Sequence, residues 1–164
     1  MLRFRFWFAA GLFAVGCAVL PFAQSQPAQP PAPPKLKGPP KLEAVAETKL
    51  LMEGLTNPNV IALGQRLAEK PKDAESWTII RGQALLIAET GNLLMIRPPK
   101  TKEGQDPWLA HATELRENAT SLARAAGAKD YLQARTSLAA VANSCNRCHQ
   151  TFRVAVRVDP FANE

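Results

Sequence analysis

The sequence predicts an all-α protein folded as an antiparallel four-helix bundle. Three observations predict it. Apolar residues recur at helical spacing, and no stretch alternates in the manner of a strand. Trp108, Ala112, Leu115, Ala119, Leu122 and Ala126 follow one another at spacings of 4, 3, 4, 3 and 4, and Ala134, Leu138, Val141, Cys145, Cys148 and Phe152 keep the same rhythm. Breakers divide the chain into four such segments joined by short to moderate loops, which suits an up-down-up-down topology.

The first segment spans about Leu42 to Lys70 and is interrupted at Asn57-Pro58. Asn57 is suited to cap a helix and Pro58 to sit in its first turn, so this proline either kinks one long helix or separates two shorter ones. The second begins near Asp73, carries Trp77, Ile80, Ala84 and Ile87, and stops before Pro98-Pro99. The third opens on Asp106 as cap with Pro107 in the first turn, and Gly127 ends it. The fourth opens at Asp130. Many seam positions are alanine, which lets helices approach closely and also leaves room for something other than side chains.

The ends of the chain read differently. Arg3 and Arg5 precede an uncharged apolar run from Phe6 to Leu20, followed by Ala23-Gln24-Ser25. That run is short for a membrane span, which typically needs about 20 residues, so residues 1–25 read as an export signal. Ala14-Val15-Gly16-Cys17 offers a rival lipoprotein signal, with a lipid anchor at Cys17 as the one membrane attachment. Seven of the seventeen residues from Gln24 to Pro40 are proline, so residues 26–40 read as an extended linker. The helical domain is expected over 41–158, with a tail at 159–164 that shows no pattern.

Composition narrows the function. The chain has 164 residues, 46% hydrophobic and 21% charged, an ordinary globular balance. Its formal charge of +6 is scattered rather than clustered, which argues against a nucleic-acid partner. No nucleophile–base pair, phosphate loop or paired-carboxylate arrangement is apparent, so an enzyme is not expected.

The informative cluster is Cys145-Asn146-Arg147-Cys148-His149, a C-x-x-C-H sequence. Cysteines three apart share one helix face. Two thiols so placed can add across the vinyl groups along one edge of a porphyrin, and the adjacent imidazole can bind the iron. A redox dithiol would normally open a helix of an α/β fold. A zinc site lacks a good fourth ligand, and a helical i, i+3 disulfide would be strained.

Extended to Gln150-Thr151-Phe152-Arg153, the motif resembles the C-terminal haem motif of the cytochrome c-prime family. The resemblance covers the four-helix order with haem on the last helix. It implies an exported, periplasmic monohaem protein carrying haem c, often dimeric through its first two helices and serving a redox partner protein. It implies Cys145 and Cys148 as thioether positions, His149 as proximal ligand, and Phe152 and Arg153 packed by the haem. That family divides by its distal ligand. Members with a first-helix methionine on the iron transfer electrons, and members with a vacant distal face bind nitric oxide or carbon monoxide. Met52 occupies the corresponding position here. A shift of the first helix at Asn57-Pro58 would instead put Leu51 or Leu55 over a vacant face. Met95 reads as core, His111 as a boundary residue, Trp77 and Trp108 as core or haem-wall aromatics, and Arg81 and Arg147 as solvated unless they pair with propionates.

Overall fold

The computed structural model describes Gly38 and residues 41–162. The expected export signal, Cys17 and nearly all of the expected linker lie outside the described residues. Pro40–Glu164 forms one compact unit. Among the described residues there are four helices and no strand, the architecture the apolar spacing predicts.

Helix α1 comprises an α-helical turn Thr48–Leu51, a π-helical turn Met52–Thr56 and an α-helical run Asn57–Leu67. It begins later than the expected Leu42, and Pro58 neither splits it nor takes a cap from Asn57. Asn57 has helical angles, φ −59 and ψ −47. In a regular α-helix the Pro58 ring would press on the carbonyl four residues back, and the proline has no N–H to offer it. The wider π-turn absorbs that conflict: the Asn57 N–H bonds to the Met52 carbonyl, five residues back. The Asn59 side chain donates to the Leu55 carbonyl at 2.7 Å, bracing the irregular turn.

Helix α2 spans Ala74–Met95 behind the cap Asp73, whose carboxylate accepts from the Ser76 N–H and hydroxyl, each at 2.7 Å. Helix α3 spans Lys102–Gly127, so it starts before Asp106 and contains Pro107 in its interior. The extra turn is braced on the loop before it. Gly104 lies so close to Pro99 that an added Cβ would stand 2.9 Å from its ring, and the Gln105 amide donates to the Pro99 carbonyl at 3.4 Å. The missing proline N–H deprives only an exposed first-turn carbonyl. Helix α4 spans Tyr131–Thr151 behind the cap Asp130, which accepts from the Gln133 N–H at 3.0 Å.

Both long C-terminal helices end in the same six-residue closure. Lys129 (φ 55) and Arg153 (φ 56) take the left-handed conformation. After α3, Lys129 N–H bonds to Ala126 and Asp130 N–H to Ala125; after α4, Arg153 N–H bonds to Gln150 and Val154 N–H to His149. Gly127, expected as the stop, is the last helical residue and not the left-handed one. The end of α1 is closed from outside, since Tyr131 Oη and Arg135 Nη1 donate to the Leu67 and Ala68 carbonyls.

The helices form a square in which α1 packs on α2 and α4, and α3 packs on α2 and α4. One end of the square is filled by side chains: Leu63, Leu67, Ile80, Leu122 and Leu138 are fully buried. Buried alanines, among them Ala84, Ala112, Ala119 and Ala126, draw the helices together. At Gly91 an added Cβ would stand 2.8 Å from the Ala112 carbonyl, so α2 and α3 nearly touch. The other end is open. Among the described residues no helix is long and apolar enough to cross a membrane.

Candidate functional site

The open end holds a cavity of about 560 Å³ with a predominantly apolar lining. Its walls come from all four helices and the C-terminal segment. Met52, Thr56 and Val60 face it from α1, Leu94 from α2, Trp108 from α3, and Cys145, Cys148, His149 and Phe152 from α4. Val154, Val156 and Val158 of the segment after α4 close it further. Residues more than ninety positions apart in sequence thus meet in one space, and Met52 shares it with the whole C-x-x-C-H set.

Regular α4 helix places the two cysteines on one face. Both are free thiols, partly buried. Burial, reinforced by the nearby Cys148, pushes the Cys145 thiol up from 9.0 to about 12, and burial also raises Cys148. Both sulfurs are therefore protonated and unpaired at neutral pH.

The imidazole is held by the backbone that follows it. His149 Nδ1 lies 2.8 Å from the Val156 carbonyl. A carbonyl only accepts, so Nδ1 carries the proton and the Nε2 lone pair is left free for a metal. The Val154 N–H bonds to the His149 carbonyl at 2.8 Å as part of the helix closure. Asn146, inside the motif, binds the same segment through both ends of its amide: Nδ2 donates to the Val158 carbonyl and Oδ1 accepts from the Val158 N–H, each at 2.8 Å. Beyond it, Pro160 crosses α1 at Gly64, where an added Cβ would stand 1.9 Å from the Pro160 carbonyl oxygen. Phe161 packs under the Arg135 guanidinium, 4.3 Å from the ring centre. The segment from Val154 to Phe161 is a strap across the imidazole side of the cavity.

The aromatic wall is fixed as well. Trp108 Nε1 donates to the Leu94 carbonyl at 2.8 Å, and the Phe152 ring meets Trp108 edge-on at 5.2 Å. Trp77 is buried in the core.

Several sequence candidates stand elsewhere. Arg153 is exposed, its left-handed backbone ending α4, and it does not line the cavity. Leu51 is buried in the core and Leu55 packs against it; neither lines the cavity. Met95 packs on the core. His111 Nε2 lies 2.9 Å from Thr151 Oγ1, and its ring meets Phe152 edge-on outside the cavity. Arg147 pairs with Glu114, and Arg81 lies beside Gly127 at the filled end.

The sequence did not single out Asn146, Thr56 or the three strap valines. Val154-x-Val156-x-Val158 alternates with the period of a strand, a short signal easily lost after a strong helix. Asn146 is one of the two variable positions of the motif, and its partner lies twelve residues on.

The residues present fit a covalently held haem. Two thiols three residues apart open into an apolar space within the roughly 300–1,000 Å³ range of ligand pockets. One imidazole with a free Nε2 lines it, and so does the Met52 thioether of α1. Among the described residues no three of His, Cys, Asp and Glu cluster as an alternative metal site.

Residues 101–153 match the family model described as Cytochrome C'. The match spans α3, α4 and the complete C-x-x-C-H sequence. No curated protein and no solved structure matches the chain.

Proposed function

We propose that this chain, whose residues 101–153 match the family model described as Cytochrome C', is an exported electron carrier of the cytochrome c-prime kind whose iron is bound by His149 and Met52. In this reading one haem c per chain is attached through Cys145 and Cys148. The bound group supplies a metal that gains and loses one electron. The chain's own residues hold and tune it. Cys145 and Cys148 tether it, the Val156 carbonyl orients the His149 ring, and Phe152, Trp108 and Val60 exclude water. One electron arrives from a reduced partner protein and leaves to an oxidised one, with no bond made in a substrate.

The observation that carries the electron-transfer reading is the position of Met52, which lines the same cavity as His149. A thioether there fills the site a diatomic ligand would need and raises the potential. Periplasmic location, a redox partner protein and pairing of two copies through α1 and α2 belong to the same proposal.

A reduced-minus-oxidised spectrum, taken with and without carbon monoxide, tests it. The expected ferric protein is low-spin with a weak sulfur-to-iron band that Met52→Ala abolishes, and the ferrous protein binds carbon monoxide slowly. High-spin bands and rapid carbon monoxide binding, unchanged by Met52→Ala, would establish a vacant distal face and a gas-binding protein instead.

A further inference from the structure

Thr56 ends the π-turn of α1 and is 5% exposed, yet its hydroxyl has no hydrogen-bond partner among the described residues. Five other helical threonines, Thr78, Thr90, Thr120, Thr136 and Thr151, each donate to the carbonyl four residues back, at 2.7–3.0 Å. For Thr56 that carbonyl belongs to Met52; across the π-turn it accepts from the Asn57 N–H, and the Thr56 hydroxyl makes no bond to it. The hydroxyl without a partner thus stands in the irregular turn that accommodates Pro58.

A buried hydroxyl left without a partner is destabilising, because it has lost its water and gained nothing in exchange. This one lines the cavity one helical turn after Met52, on the same wall. Of the other polar residues of α1 at the cavity, Lys49, Glu53 and Asn57 are exposed and Thr48, in the first turn of the helix, is half-buried. Val60 has no donor, and the Trp108 N–H is already bonded to Leu94.

We infer that Thr56 Oγ1 donates a hydrogen bond to the Met52 sulfur when that sulfur is the axial ligand, an inference that rests on the methionine-ligated reading above. A ligating thioether keeps a second lone pair and is a weak acceptor. Donation draws charge from the sulfur and sets the positive end of the O–H dipole beside the metal, which favours the ferrous form. Thr56 is thus a positioning and tuning residue, acting through Met52.

The test uses the haem-loaded protein. Thr56→Val keeps the side-chain shape and removes the hydroxyl; Thr56→Ser keeps the hydroxyl. The expected result is a several-fold shift of the one-electron equilibrium toward the ferric form in Thr56→Val, read as a lower midpoint potential, with an altered but present sulfur-to-iron band. Thr56→Ser should restore both. A Thr56→Val protein with unchanged potential and band overturns the inference, as does an equal shift in both variants, which would mark a packing effect. If Thr56→Val changes only the release of added carbon monoxide, the hydroxyl serves another occupant and the inference fails. A wild-type spectrum without the sulfur band would instead sink the Met52 reading itself, so the two failures are separable.

Discussion

On the α4 side of the cavity, side chains and helix end are bonded to the segment that follows them. His149 Nδ1 donates to Val156, Asn146 holds both polar groups of Val158, and the six-residue closure fixes Val154. On the α1 side the wall is a π-turn with no side-chain cap, a flexible methionine and a hydroxyl with no partner. The imidazole side is held by the chain itself, whereas the α1 side leaves a buried polar group unanswered. Under the electron-carrier proposal the division suits a tuned redox site: a rigid anchor fixes where the group sits, and a softer second wall adjusts to it.

Removing the anchor is the largest perturbation. A Cys145→Ala, Cys148→Ala double variant should retain no haem after denaturing electrophoresis with haem staining, whereas Met52→Ala should retain all of it.

Alkaline titration separates loaded from unloaded protein. In the haem-free chain Cys145 stays protonated to about 12, whereas an unfolded thiol releases its proton near 9.0. The folded state then binds more protons than the unfolded one, so stability should fall as pH climbs from about 9 toward about 12. The loaded protein, whose sulfurs are thioethers, should show no such decline. Denaturant midpoints measured across that window read the difference.

Gly64→Ala tests the strap where it crosses α1. A Cβ 1.9 Å from the Pro160 carbonyl oxygen has no room, so a loss of about 1–3 kcal/mol or release of the strap is expected. Asn146→Ala should cost about 1–2 kcal/mol and speed both proteolysis after Val154 and amide exchange at Val158.

The softer wall should respond less in stability. Pro58→Ala lets the π-turn relax to α-helix, returns the Thr56 hydroxyl to the Met52 carbonyl and turns the sulfur relative to Val60. Stability should change by less than about 1 kcal/mol while the sulfur-to-iron band weakens. An unchanged band would show that the wide turn has no part in placing Met52.

What sequence made legible follows from range. The caps Asp73 and Asp130 act on residues three positions away, and the seams of α3 and α4 repeat within one helix, so both could be read directly. C-x-x-C-H is likewise local. Pro58 and Pro107 misled because a proline states only which bond is missing. Whether the helix breaks, widens or carries on depends on neighbours: Gly104 against Pro99 in one case, the Met52-to-Asn57 bond in the other. The strap escaped notice because its holds lie far off, at Gly64 and Arg135.

The strap also joins two duties in one stretch of chain. Val154, Val156 and Val158 line the cavity, and the Val156 carbonyl holds the ring of His149. Both rest on the crossing at Gly64 and on the two Asn146 bonds. Loosening that short tail would therefore unroof the apolar space and set the ring turning in a single step.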